Sequence, residues 1–289
     1  MGANTYVAVG NMRDMSNIIT NIAPKETPMY TSFGKTEATG TFHEWLEDGL
    51  DAPRENAQVE GFLRAVDDPE PRNELGNHCQ IMKRGYKVTA TQEKVAKYGV
   101  KSEMGYQMQK CMKELALDVE WGLINNATNS AGSTATPRRF KGVAGFITTN
   151  ALAAGGPLTE DLINDAMEAC WNVGGHPTRV YLSSKNKRIV SAFDAGGQKW
   201  TPSKDRKLVH TIRVYEGDFG QLEFIPHRLM PNDQALVLDR EYFKIATLRP
   251  FHRGDLPKTH DALMKDIVGE LTLEARAEKA SAKITGIAA

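Results

Sequence analysis

The 289-residue chain carries 36 basic and 36 acidic side chains, with 40% hydrophobic and 25% charged residues, ordinary values for a soluble globular protein. No run approaches eighteen apolar residues, which excludes a membrane-spanning helix, and a formal charge of zero speaks against a dedicated nucleic-acid binder. Cys79, Cys111 and Cys170 are far apart and odd in number, which fits free thiols in a reducing cytoplasm better than disulfides or a zinc site. The length allows one large domain or two modest ones, and the opening Met1-Gly-Ala-Asn-Thr-Tyr6 lacks the pattern of a secretory signal.

Residues 1–35 read as an arm. Asp14 is placed to cap a short helix through Ile22, after which Pro24 and Pro28 favour extended chain. Residues 40–47 are rich in β-branched and aromatic side chains and predict a strand. Residues 79–91 predict its return, with Tyr86, Val88 and Ala90 on one face and Lys87, Thr89 and Thr91 on the other. Between them lies a polar stretch of about thirty residues, broken by Pro53, Pro69 and Pro71. Loops longer than about 12–15 residues are uncommon inside compact domains, so this one is expected to project.

Ser102 is placed to cap a long helix ending near Asn126, about 36 Å from end to end. Met104, Met108, Cys111, Met112, Leu115, Val119 and Leu123 form its apolar stripe, widened by Leu117, Trp121 and Ile124. A Gly/Ser/Thr/Ala-rich connection over 128–157 follows. Thr159 then caps a second helix that stops at Gly174-Gly175, Val180-Tyr-Leu182 is a short buried strand, and Ser184 caps a third helix. Strands are expected at 209–216, 220–225, 235–239 and 242–248, a polar loop at 250–262, and from Ile267 a long alternating strand, whose Ala, Glu and Lys content equally favours a helix. Helices alternating with strands indicate an α+β fold with a mixed sheet.

Charge is segregated along the chain. Residues 43–74 hold ten acids, among them Glu44, Glu47, Asp48, Asp51, Glu55, Glu60, Asp67 and Asp68, against three arginines, a net of −7. Residues 178–213 hold nine bases, among them Arg188, Lys204, Arg206 and Lys207, against two acids, a net of +7. These blocks are either two solvated faces or complementary regions of neighbouring copies. Trp45, on the strand that enters the acidic stretch, joins the candidate contact residues. Catalytic and cofactor signatures are missing: there is no Walker loop, dinucleotide fingerprint, His-Glu-x-x-His or Gly-x-Ser-x-Gly. No enzyme activity, cofactor or metal is expected. His43 and Glu44 are adjacent strand positions and should point to opposite faces.

The segments Ile22-Ala-Pro-Lys-Glu-Thr-Pro-Met-Tyr30, Phe33-Gly-Lys35, Ala38-Thr-Gly-Thr-Phe-His-Glu-Trp-Leu46 and Asn56-Ala-Gln-Val-Glu-Gly61 resemble the opening of the SU10-type major head proteins of tailed bacteriophages. That resemblance implies an HK97-like capsid fold: an N-terminal arm (1–35), an extended β-hairpin loop (36–95), a peripheral domain (96–157 and 246–289) with a spine helix over 101–127, and an axial domain (158–245). It implies a homo-oligomeric capsid lattice of hexamers and pentamers, non-specific contact with packaged double-stranded DNA, and no membrane partner. Because no long segment precedes the arm, it also implies a separate scaffold protein or none; portal and decoration proteins are further candidate partners. An encapsulin-like compartment shares the fold and stands as the first alternative, followed by an uncharacterised enzyme or another virion structural protein.

Overall fold

A computed structural model describes residues 27–50, 53–61, 71–97, 99–193, 214–258 and 260–288. The predicted Asp14–Ile22 helix and residues 209–213 of the predicted 209–216 strand lie outside them. The described chain begins with a one-turn helix α1 (Pro28–Ser32), strands β1 (Gly34–Glu37) and β2 (Phe42–Glu47), then β3 (Asn73–His78) and β4 (Gln80–Thr89). Helices α2 (Ala90–Lys94), α3 (Glu103–Asn125) and α4 (Val143–Phe146) follow, then β5 (Ala151–Ala153), α5 (Glu160–Trp171), β6 (Arg179–Leu182) and α6 (Ser184–Ser191). The rest is strand-rich: β7 (Val214–Gly217), β8 (Gly220–Pro226), β9 (Gln234–Leu238), β10 (Phe243–Asp255), β11 (Ala262–Ala275) and β12 (Ala282–Thr285).

Three sheets form among the described residues. One has the order β1-β10-β11-β4, a mixed six-stranded sheet runs β5-β12-β9-β6-β8-β7, and β2 pairs with β3 in a two-stranded sheet. The chain divides into two compact units, one built from Lys83–Leu115 with His252–Val268, the other from Thr27–Met82, Ala116–Phe251 and Gly269–Ala289.

In the first unit α3 starts where expected. The Ser102 hydroxyl accepts from Gly105 N (3.1 Å), and the Glu93 carboxylate accepts from the backbone N–H groups of Glu103 (3.0 Å) and Met104 (3.1 Å). A hydrogen bond from Ser102 and these backbone donors hold the Glu93 carboxyl below its usual range. Tyr86, Val88 and Cys111 are buried in this unit. Ion pairs Lys83–Asp266 (3.2 Å), Arg84–Glu114 (3.1 Å) and Lys265–Asp255 (2.9 Å) lie at its surface. The polar loop expected at 250–262 is shorter than predicted, because β10 continues through Asp255.

The second unit holds the six-stranded sheet. Helix α5 buries Ile163, Ala166, Met167 and Cys170, one face at three- and four-residue spacing, against Val180, Leu222, Val237 and Ile284 of the sheet. The Thr159 hydroxyl caps it by accepting from Leu162 N (3.3 Å), and Gly174 at φ +83° ends it. Helix α6 is capped by Ser183, one residue before the expected Ser184. Two pairings were not legible in the sequence: β12 lies antiparallel to β9 and parallel to β5, so residues 151–153 and 282–285 both join this sheet.

Three further expectations need correcting. The partner of β2 is Asn73–His78, not 79–91; the alternating stretch over 80–89 instead joins the four-stranded sheet. The terminal strand does not have one wet face: Glu270, Thr272 and Glu274 are as buried as Leu271, Leu273 and Ala275. Met112 and Trp121, assigned to the apolar stripe of α3, are each 52% exposed, whereas Cys111, Leu115, Val119, Leu123 and Ile124 are buried.

Candidate functional site

Two features give the second unit its character: the base of the hairpin β2–β3, and the start of the described chain at Thr27–Phe33. The hairpin β2–β3 runs in antiparallel register from Phe42 opposite His78 to Glu47 opposite Asn73. Strand alternation sends His43, Trp45 and Glu47 inward and Phe42, Glu44 and Leu46 outward, so His43 and Glu44 do part to opposite faces. On the outer face the Phe42 ring lies across the neighbouring strand, 4.5 Å from His78 between ring centroids. Gly76 makes this possible, since a Cβ there would stand 2.5 Å from the Phe42 ring.

The inner face is fastened by polar groups. Asn77 is fully buried and donates to Leu273 O (2.8 Å) and Lys141 O (3.0 Å) while accepting from Lys141 N (2.8 Å). Its amide thereby substitutes for the strand pairing that β3 lacks on that side. His43 Nε2 lies 3.2 Å from Glu274 Oε2, and Arg276 bonds the other oxygen. Burial alone would push the Glu274 carboxyl up, but the hydrogen bonds and charges of Arg276 and His43 outweigh it and hold the group below its usual range. Nearby, the buried Glu270 accepts from Arg138 (2.6 Å) and Arg249 (3.1 Å). Trp45 packs on Phe146 at 5.9 Å.

At the start of the described chain the pivotal residue is Glu120. It is fully buried on α3, and its carboxylate accepts from the backbone N–H groups of Met29 and Tyr30 (both 2.8 Å) and lies 2.7 Å from His227 Nε2. Pro28 supplies the fixed φ that starts α1, leaving the next two N–H groups free to meet Glu120. Phe33 stacks on Phe243 (5.4 Å), and β1 then runs parallel to β10. The Thr-Pro-Met-Tyr and Phe-Gly-Lys motifs therefore have a structural meaning: the first seats the chain against the long helix and the second against β10.

A cleft of about 930 Å³ lies at the loop root, lined by Glu47, Leu50, Lys141, Phe146, Val173 and Glu278 among others. Burial, countered by Lys279 and reinforced by Glu278, pushes the Glu47 carboxyl up. Glu278 is engaged with Thr148 N (2.7 Å), Thr149 N (3.2 Å) and the Thr149 hydroxyl. Burial pushes the Cys79 and Cys170 thiols up to about 11 and about 12, far from the range of reactive thiolates. Among the described residues no three His, Cys, Asp or Glu side chains gather to hold a metal, and no helix is long and apolar enough to cross a membrane.

Over residues 2–288 the sequence matches the family model described as the SU10 major capsid protein. The chain belongs to the SU10 major capsid protein family. It is 30% identical over 117 residues to the major capsid protein of Escherichia phage Phieco32, a match covering 40% of this chain and 33% of that protein. Among solved structures, the capsid of a native GTA particle superposes with a TM-score of 0.72 at 12% identity, covering 99% of this chain and 100% of that one. The capsid of cyanophage A-1(L) gives 0.67 at 12% identity over 98% of both chains. The SrpI encapsulin of Synechococcus elongatus gives 0.58 at 10% identity, over 93% of this chain and 92% of that one. The HK97-like capsid fold implied by the opening motifs is the fold observed.

Within this SU10-family fold the predicted contact residues fall in several places. Glu44, Asp48, Glu55 and Glu60 are exposed on the hairpin and its extension, and Asp48 pairs with Arg72 at 3.1 Å. Glu47 is half-buried at the loop root, and Arg188 is exposed on α6. Trp45 is only 8% exposed and anchors the hairpin to its own subunit, so it offers little to a neighbour. Asp51, Asp67, Asp68, Lys204, Arg206 and Lys207 lie outside the described residues. Sequence reasoning passed over Leu46, Leu50 and Val59, which stand 62%, 101% and 77% exposed on the same projection. Their signal was available: single apolar residues in an otherwise polar loop too long to fold on itself. Glu120 and His227 were also missed, although an acid next to Val119 on the buried arc of a helix is itself unusual.

Proposed function

We propose that the chain is the shell-building subunit of a tailed-phage head, associating as hexamers and pentamers into an icosahedral lattice that encloses double-stranded DNA. The observation that carries this reading is the hairpin. Asn77 and Trp45 fasten its base to the body, while Leu46, Leu50 and Val59 stand in water beside Glu44, Glu55 and Glu60. Apolar area on a firmly based projection gains about 25 cal/mol per Å² when a neighbouring copy covers it. The acids set the register against a basic surface, for which the 178–213 block is the complement within the same chain. Each exposed ion pair contributes only about 0–1 kcal/mol, but repetition around a closed lattice accumulates them.

In this reading residues 1–35 form the arm, 36–95 the extended loop, 96–157 and 246–289 the peripheral domain, and 158–245 the axial domain, with 151–153 and 282–285 lending strands to the axial sheet. Assembly takes place in the bacterial cytoplasm, with scaffold, portal and decoration proteins as further partners. Contact of the basic block with packaged DNA would be non-specific and phosphate-directed. The role is structural, not enzymatic.

The likeness to an encapsulin supports a second reading, a compartment shell around protein cargo. The contents of purified particles separate the two: nucleic acid for a head, protein for a compartment. The docking itself is tested by changing Glu44, Glu55 and Glu60 together to Lys, and by Leu46→Asp in a second variant. Both variants should keep the wild-type circular dichroism spectrum yet sediment as unassembled subunits. Normal shells from both would contradict the docking role of the hairpin.

A further inference from the structure

The second unit leaves an aromatic pair uncovered at the end of α5. Trp171 closes that helix and is 52% exposed, its ring tilted on Phe219 of the β7–β8 turn at 5.8 Å. A large, stiff side chain held at the surface is suited to anchor a protein contact, because covering it sacrifices little side-chain entropy. Acids rim the pair from two elements. Asp161, Asp165 and Glu168 follow one another at four- and three-residue spacing on the side of α5 opposite its buried Ile163, Ala166, Met167 and Cys170. Asp218 is exposed next to Phe219 in the turn. None of these four acids forms an ion pair among the described residues.

A surface of the opposite character lies on the neighbouring helix. α6 buries Asn186 and Val190 and turns Lys185 and Arg188 to solvent. Its Val190 shares one core cluster with the buried residues of α5, so the two helices cover a common core. Lys185 and Arg188 also form no ion pair among the described residues. Within one copy, then, the acidic side of α5 and the basic side of α6 stay apart, each without a partner of opposite charge. A second copy supplies both. An arginine guanidinium stacks well on an indole face, which gives Trp171 and Arg188 a direct match. α5 against α5 would oppose like charges, so complementarity selects the mixed pairing.

We infer that α5 of one copy docks on α6 of a neighbouring copy, with Trp171 anchored under Arg188 and the acids of α5 facing Lys185. The inference rests on the shell-building reading and adds to it a contact in which the hairpin takes no part. The two contacts therefore fail separately.

Charge exchange in the full-length protein tests it. One variant carries Asp165→Lys and Glu168→Lys, another Lys185→Glu and Arg188→Glu. Each should keep the wild-type circular dichroism spectrum and lower the sedimenting, assembled fraction at least about tenfold, because like charges then face each other. All four changes in one chain restore opposite charges and should recover most of the assembled fraction. Should a reversal variant not fold, a Glu168→Cys chain mixed with a Lys185→Cys chain decides. Mild oxidation should link the mixture into disulfide dimers while leaving either chain alone unlinked. Wild-type yields from both reversals, no recovery in the fourfold variant, or a mixture that stays unlinked would overturn the pairing. A wild-type chain that forms no assemblies would contradict the shell reading itself, and the pairing with it.

Discussion

Glu274 shows how a single side chain links the hairpin to the body. It sits on the polar side of the alternation in β11, yet it is 2% exposed and meets His43 of β2 and Arg276. A buried carboxylate is costly unless its oxygens are engaged, and here both are. Because its folded-state value is depressed, its stabilisation is complete above the ordinary glutamate value of 4.5 and is lost as pH falls through the lower folded value. Glu274→Gln should therefore flatten the acid limb of the stability curve and lower stability at neutral pH. Urea unfolding of the subunit at a series of pH values checks this, and an unchanged acid limb would contradict the role given to His43 and Arg276.

At the scale of elements, the hairpin is fastened to the body at its base. Asn77 is the main fastening, since three backbone groups of other segments rely on its amide. Asn77→Ala should destabilise the subunit by about 2–4 kcal/mol, because buried partners are left unsatisfied. The shift of the denaturant midpoint measures this, and a shift under about 0.5 kcal/mol would contradict the fastening. The elements also mark what the sequence could reveal. The long helix was legible to within a residue because Ser102 and the Cys111–Leu115–Val119–Leu123 spacing are local signals. The strand over 80–89 was legible through its alternation, but its partner was not, because alternation gives a face and not a neighbour. The β3 segment Asn-Glu-Leu-Gly-Asn-His carries almost no strand propensity, and its pairing depends on Asn77 and on the Phe42 ring over Gly76. For the same reason the burial of Glu270 and Glu274 was invisible: Arg138 and Arg249, which meet Glu270, and His43, which meets Glu274, lie far away in sequence, and only Arg276 is a near neighbour.

At the scale of the whole molecule, the opening motifs were the most informative part of the chain, and the structure supplies their reason. Thr27-Pro-Met-Tyr30 fits the chain entry to Glu120, and Phe42-His-Glu-Trp45 fastens one face of the hairpin while freeing the other. Both devices fasten the near end of a segment that, in the proposed reading, meets a neighbouring copy. Such segments suit near-equivalent packing, where rigid cores meet through adaptable connections. The charge blocks were visible as composition, and so were Leu46, Leu50 and Val59 as apolar residues inside the acidic one, but the extent of their exposure depends on the three-dimensional course of the chain. The central claim is that this subunit builds shells. Electron microscopy of the purified, overexpressed chain tests it most directly: closed icosahedral or tubular particles are the predicted result, and a protein that persists as a monomer at high concentration would contradict it.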